Sequence, residues 1–358
     1  VLDRPLHIEA QVLADKYGNV QVLGTRDCSL QRRNQKLIEE APAPFLSDEQ
    51  RQRIHDAARE LCREAAYCGA GTVEFLLSPE GEFSFLEVNT RLQVEHTVTE
   101  ETTGIDLVIA QLEIARGKRL DNTETPPPHG NAFEYSINAE DPARGFLPVS
   151  VTISDFSPPS GIGIRLDSGV RTGSTVPPTF DSLLAKLIVW APSREMALAR
   201  ARRALAEFKI EGLASVLPFH RAALQEPDFI TAPFSVHTRW IETDFAVDLP
   251  LADRTLPARE ESLTCLWIEL DGKRVALGLP DSLLNGVTQP DAQPARPLRV
   301  NAGVVEAPIS GVLLSWHVEE SQQVSEGDPI AMMEAMKMET QLYAPCAGRI
   351  TLRAAAGE

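Results

Sequence analysis

No apolar run in this sequence approaches the ~20 residues that a membrane-spanning helix needs, and it has no C-x-x-C pair or histidine-spaced metal pattern. It is also short of positive charge: 34 Lys and Arg stand against 51 Asp and Glu, a net charge of −17. That balance argues against nucleic acid or an anionic membrane as a general partner, since both attract basic surfaces. A local basic pocket stays open. The five cysteines, Cys28, Cys62, Cys68, Cys265 and Cys346, are odd in number and lack framework spacing. A reducing compartment is therefore expected, the cytoplasm or, in a eukaryote, an organelle matrix. Val1-Leu2-Asp3-Arg4-Pro5 has neither a signal-peptide pattern nor an initiator Met. What is present is a chain of 358 residues, long enough for two or three domains of roughly 100 to 200 residues.

The densest polar stretch runs from Phe85 to Glu100 and holds three acids, an Asn, an Arg, a Gln and a His. Gly71 to Leu77 reads as a strand, Ser78-Pro79-Glu80-Gly81 as a turn and Glu82 to Asn89 as the returning strand, which brings Glu74 near Glu87. In an extended run alternate residues share a face, so Glu87, Asn89 and Arg91 should project together while Leu86 and Val88 point into a core. Two carboxylates beside an amide oxygen suit a hard cation such as Mg2+, usually held together with substrate phosphates. The same residues also describe a solvated strand face.

Upstream, His7 to Leu13 alternates polar and apolar, Asp15 to Asn19 supplies turn residues, and Val20 to Leu23 returns. His7, Glu9 and Gln11 then share one face. Arg26 to Lys36 is polar and basic, either a surface loop or a place to meet an anion. Ser47 and Gln50 form a capping box for a helix whose apolar stripe is Ile54, Ala57, Ala58, Leu61, Cys62 and Ala65. A second helix spans about Ile105 to Arg116 and stops at Gly117.

Three consecutive prolines make 122–130 a linker. Beyond it, Ala132 to Val189 reads as mostly β, Ser193 to Glu207 as helix, and Leu266 to Val275 as a hairpin around Asp271-Gly272. A proline-rich tether follows from Pro290 to Pro297. In the tail, Ala307-Pro-Ile-Ser-Gly311 is echoed by Ala344-Pro-Cys-Ala-Gly348, a two-fold β repeat with Glu334-Ala-Met-Lys-Met-Glu339 between the copies.

That last motif resembles the attachment site of biotin-dependent carboxylases, which implies covalent biotin on Lys337, added by a biotin protein ligase. Lipoyl domains share the fold, but their modified lysine usually lacks flanking methionines. The front of the chain resembles the ATP-grasp biotin carboxylase through His7-Ile-Glu-Ala-Gln11, Arg26 to Arg33, Gly71-Thr-Val-Glu-Phe75 and Glu87-Val-Asn-Thr-Arg-Leu-Gln-Val-Glu-His96. The resemblance implies Mg2+ or Mn2+ on Glu74, Glu87 and Asn89 with the ATP phosphates. It places His7, Gln31, Leu76 and Lys36 on the nucleotide side. Arg91, Gln93 and Val94 would hold bicarbonate, with Glu95 as the base that deprotonates it.

Asn138-Ala-Glu-Asp-Pro142, Phe180-Asp-Ser182 and Lys186 resemble the C-terminal domain of the same enzymes, and Phe234 to Trp240 resembles acyl-CoA carboxylase α chains of the actinobacterial type. The fold class implied is α+β in three parts, truncated at both ends. Residues 1–121 would be the C-terminal half of an ATP-grasp domain and 131–244 the biotin carboxylase C-terminal domain. A linker with a small β hairpin region would occupy 245–303, and an incomplete all-β biotinyl (lipoyl-like) barrel-sandwich 304–358. An amino-terminal domain and a Gly-rich lid over ATP would precede Val1 in a longer protein.

The implied activity is ATP- and bicarbonate-dependent carboxylation of protein-bound biotin, for a separate carboxyltransferase β subunit, with self-association through the carboxylase part. Two departures stand out: Ser136 where the family usually has an Arg expected to stabilise the biotin enolate, and Thr97 where Pro is usual. Ser136 keeps open a rival reading, a non-catalytic biotin carrier or assembly subunit.

Overall fold

The computed structural model describes residues 2–177, 180–232, 234–250, 263–270, 273–280, 305, 307, 311–325, 327–335 and 338–354. β1 (Leu6–Ala14) and β2 (Val20–Arg32) pair antiparallel around a turn fixed by one side chain. The Asp15 carboxylate accepts from the backbone N–H groups of Tyr17 and Asn19 at 2.9 and 3.0 Å, and from the Asn19 amide at 2.8 Å. β3 (Gln35–Ala41) continues from β2 through Arg33 and Asn34, both with positive φ. The basic stretch from Arg26 is thus mostly strand rather than surface loop, and Arg26 itself is wholly buried.

α1 (Asp48–Glu64) carries the expected capping box between Ser47 and Gln50. It packs Ile54, Ala58 and Cys62 against Ile8, Ala10 and Val12 of β1. Leu61 and Ala65 depart from the expected stripe: Leu61 is 36% exposed, and Ala65 is exposed at the C-cap. β4 (Gly69–Leu77) and β5 (Phe83–Asn89) form the expected hairpin, with Glu74 opposite Glu87. The register shifts between Glu74 and Phe75, whose partner is Phe85, so Leu86 is the extra residue of a bulge. Leu86 is therefore exposed beside Glu87 instead of pointing into the core, whereas Val88 does pack against the cluster under α1.

The extended run ends at Asn89; α2 (His96–Thr103) begins just beyond Glu95, and α3 (Leu107–Ala115) is capped by Asp106, with Gly117 at φ 91° beyond it. β6 (Asn131–Asn138) opens the second part, joined by β7 (Ile164–Ser168) and β8 (Leu183–Ala191). α4 (Arg194–Glu207) brings Ala197, Ala201 and Ala204 down on this region, small side chains that let the helix approach closely, and α5 (Leu217–Ala223) adds Phe219.

The linker does not separate two sheets. β6 pairs with β3, and the strands form one eight-stranded sheet in the order β7-β8-β6-β3-β2-β1-β4-β5. Beyond it, Leu263–Leu270 and Lys273–Pro280 pair antiparallel; their expected Asp271-Gly272 turn and the proline-rich tether lie outside the described residues. In the tail, Pro329–Ala335 lies between Val312–Trp316 and Met338–Tyr343. Lys337 lies outside the described residues. Among the described residues no helix is long and apolar enough to cross a membrane.

His220 on α5 is fully buried, and its Nε2–H donates to the Ser136 carbonyl at 2.8 Å. Burial, with a smaller push from Arg221, outweighs that bond and brings its pKa from 6.5 to about 4. The unfolded chain then takes up this proton first as pH falls, so stability is lost between the unfolded and folded values, about 3 kcal/mol in all. His220→Gln keeps an N–H donor without the titration. Denaturant unfolding at pH 7 and pH 4 should show a smaller acid loss in the variant by about that amount; parallel losses would refute this assignment.

Candidate active site

Even-numbered residues of β1 face α1, so its odd-numbered residues face the other side, and the first three of these, His7, Glu9 and Gln11, are polar. His7, Glu9 and Gln11 are 5%, 0% and 0% exposed. Strand pairing sets Glu9 opposite both Arg26 and Glu74, and Gln11 opposite Thr72. Buried charge demands partners, and Arg26 supplies the central one. Its Nε donates to Glu9 at 2.9 Å, Nη1 to Gln11 at 2.6 Å and Thr99 at 3.0 Å, and Nη2 to Thr72 at 3.0 Å and Gln93 at 3.1 Å. The guanidinium thereby ties α2 and the Gln93 loop to the sheet.

A second cation stands at the edge of this buried network. Lys36 Nζ donates to Glu74 at 3.1 Å, to Glu95 at 2.8 Å and to Glu9. Burial opposes its charge, but Glu9, Glu95 and Glu74 outweigh burial and hold its pKa well above the usual lysine range. Burial likewise works against Glu74, yet the bond from His7 and the charge of Lys36 bring its carboxyl down to about 2. Gln31 donates to His7 Nδ1 at 3.2 Å, leaving Nε2–H to donate to Glu74 at 2.8 Å. Glu74 also accepts from Gln93 at 2.6 Å and from the Asn89 amide at 2.9 Å, and Asn89 reaches Glu87 at 3.0 Å.

These groups open onto one cavity of about 720 Å3. Its lining includes His7, Gln31, Lys36, Glu74, Leu76, Glu87, Asn89, Arg91, Gln93, Val94 and Glu95. Every site residue singled out from sequence that lies within the described residues therefore lines the same space. Arg91 is exposed, with Nη1 only 3.3 Å from the Leu92 carbonyl, whereas Gln93 is buried with its amide shared between Arg26 and Glu74. The Val94 carbonyl accepts from Lys186 at 2.6 Å. Ser136 and Asn138 of β6 and Glu39 of β3 complete one wall.

Sequence reasoning left Glu9, Arg26 and Glu39 out of the site. Glu9 had a visible signal, its shared face with His7 and Gln11. Arg26 could have been found by pairing the first hairpin, which sets a basic residue opposite that acid. Glu39 carried no such signal; burial, the Glu134 carboxylate and that of Glu95 raise its pKa well above the usual range.

Comparison with known proteins bears on what this cavity is. A family model described as the carbamoyl-phosphate synthase L chain ATP-binding domain matches residues 1–123, the biotin carboxylase C-terminal domain matches 134–243, and the biotin-requiring enzyme family matches 303–354. The chain is 50% identical over 370 residues to the biotin-dependent acyl-coenzyme A carboxylase alpha3 subunit of Mycobacterium leprae, an alignment covering 98% of this chain and 62% of the relative. The chain belongs to the biotin-dependent carboxylases.

Within this family it is also 50% identical over 230 residues to the biotin carboxylase of Nostoc, covering 64% of this chain and 52% of that protein. Among solved structures, the biotin carboxylase domain dimer of Hydrogenobacter thermophilus 2-oxoglutarate carboxylase, in complex with MgADP, ADP and bicarbonate, superposes with a TM-score of 0.65. It is 44% identical, over 68% of this chain and 53% of the domain. The chain thus spans roughly half to three fifths of the length of these relatives.

Proposed function

We propose that the polypeptide carrying this chain carboxylates protein-bound biotin with ATP and bicarbonate, as the α chain of an acyl-CoA carboxylase. The observation that carries the reading is the Lys36 ammonium held by three buried carboxylates at the wall of a cavity, in a chain that also bears a biotinyl attachment motif.

The residues fit a hard divalent cation. Glu74 and Glu87 face each other across a strand pair, and Asn89 touches both through its amide, which rotation would turn oxygen-first. Glu74, Glu87 and Asn89 would hold Mg2+ or Mn2+, which supplies charge neutralisation on the ATP phosphates when bound. His7, Gln31, Leu76 and Lys36 would border the nucleotide. The Arg91 guanidinium matches a carbonate edge, Gln93 and Val94 would position it, and Glu95 would take the bicarbonate proton. Lys36, which donates to Glu95 at 2.8 Å, would orient it for that transfer.

In this reading residues 1–121 and 131–244 are the carboxylase parts, 245–303 the connection and 304–358 the carrier. The partners are a biotin protein ligase, a carboxyltransferase β subunit and a second carboxylase copy, in the cytoplasm. ATP with isotopically labelled bicarbonate should place label on avidin-retained polypeptide, and Lys337→Arg, which keeps charge but replaces the acylatable amine, should abolish both avidin capture and label. Avidin capture surviving that substitution would remove Lys337 from the role. Failure to label biotinylated wild type would remove the carboxylase reading itself.

A further inference from the structure

A second cavity, of about 240 Å3, lies between α1, β2, α2 and the proline-rich segment 122–130. Two residues that line it each carry a buried side-chain atom with no hydrogen-bond partner: Nε2 of His55 on α1 and the hydroxyl of Thr125 on the segment. His55 is only 6% exposed. Leaving such atoms unpaired costs stability, so two of them on the lining residues of one cavity mark a place where something polar belongs.

The charge of the lining says what. Arg51 also borders the cavity, and its two bonds go to neutral oxygens, the Thr25 hydroxyl at 3.2 Å and the Leu46 carbonyl at 3.5 Å. A guanidinium has five N–H donors, so capacity remains. The Thr102 hydroxyl is spent on the Val98 and Thr99 carbonyls, and that of Thr99 already accepts from Arg26. Burial, then the charges of Arg51 and Arg59, outweigh the Asp56 carboxylate and bring the His55 pKa down to about 4, which makes the imidazole neutral near pH 7. Arg51 is the one charged side chain of the lining, which disfavours a cation there. A neutral imidazole can present N–H from Nε2, so guanidinium, imidazole and hydroxyl all offer donors.

We propose that this cavity is a binding site for a small oxyanion of phosphate or short-carboxylate size, held by Arg51 and His55 of α1 and by Thr125 of the 122–130 segment. The volume suits it: at ~30 Å3 per water molecule there is room for one such anion with a few waters. Because the donors come from two elements, an occupant would fasten the segment that joins β6 to the rest of the sheet onto α1. The site is separate from the main cavity, with no lining residue in common.

The test reads His55 directly. The chain is labelled with 13Cε1-histidine, the His55 resonance is assigned by its loss in His55→Gln, and phosphate or malonate is titrated against sodium chloride of equal ionic strength. The His55 signal should move saturably, with a Kd on the order of 1 mM or tighter. Arg51→Met should weaken binding at least ~10-fold and Thr125→Val about 5-fold. Response to phosphate alone or malonate alone identifies which oxyanion the site takes. A His55 signal unmoved by either anion, movement confined to His7 in the main cavity, or an undiminished response in Thr125→Val would each overturn the proposal. Thr125→Val carries the test on its own should Arg51→Met fail to fold.

Discussion

With Glu95 replaced by Gln, the complete polypeptide carrying this sequence is expected to carboxylate biotin ~10^2- to 10^4-fold more slowly, the usual cost of losing a general base. Glu95 is 4% exposed and holds Lys36 at 2.8 Å. It stands at the N-cap of α2, yet its side chain makes no capping bond, so the substitution leaves the helix start as it is. Gln keeps the shape and can still accept from Lys36, which retains Glu9 and Glu74 as partners. Only the capacity to take a proton is lost. ATP affinity should therefore change little while turnover of labelled bicarbonate at saturating ATP collapses. An unchanged turnover would remove Glu95 from the role of base.

Much of this site could be read from sequence because strand alternation is a short-range code. Glu74 meets Glu87, and His7, Glu9 and Gln11 share a face, because period-2 patterning and a four-residue turn fix both. The same code fails where the backbone breaks step. The bulge at Leu86 turns an expected core residue toward the cavity, and no local signal marks it.

Nor does alternation tell a solvated charge from a buried one. The stretch from Arg26 reads as either a surface loop or a place to meet an anion, and only the five side-chain oxygen partners of Arg26, gathered from β1, β4, the Gln93 loop and α2, explain its burial. α2 was missed because His-Thr-Val-Thr-Glu-Glu-Thr-Thr is poor in strong helix formers, and packing of Val98 decides it instead. The continuity of the sheet across the triple proline is a long-range fact that the linker composition hides.

Ser136→Arg is expected to raise biotin carboxylation ~10^2- to 10^3-fold, the worth of one charge-stabilising donor at a developing anion. Ser136 lines the main cavity on β6 and is 5% exposed, so an arginine there would extend into open space toward Glu39 and Glu95. Its partner across the ladder is Lys186, whose Nζ is engaged by the Val94 carbonyl at 2.6 Å and lies 3.8 Å from Glu134. That lysine is committed to holding the loop instead of projecting into the cavity. ATP affinity should respond less, because Leu76, Glu74 and Glu87 sit on β4 and β5 at the other end of the strand order, and of the residues bordering the nucleotide only Lys36 stands on the strand next to β6. Equal rates at saturating ATP in the parent and the variant would mean that a cation already serves the position, Lys186 foremost, and that Ser136 is no impairment.

β3 and β6 are hydrogen-bonded neighbours from Ile38↔Tyr135 to Ala41↔Ala132, although one carries Lys36 and the other Ser136 from opposite sides of the linker. Adjacent strands are held ~5 Å apart, so the spacing of the two strands that carry these residues is a lattice constant of the sheet and not the outcome of a hinge. The wall is a template assembled once, at folding, and it incurs no ordering cost each time a reactant arrives. For a biotin tethered to the same polypeptide, the encounter frequency at this wall then follows from tether reach and effective concentration alone.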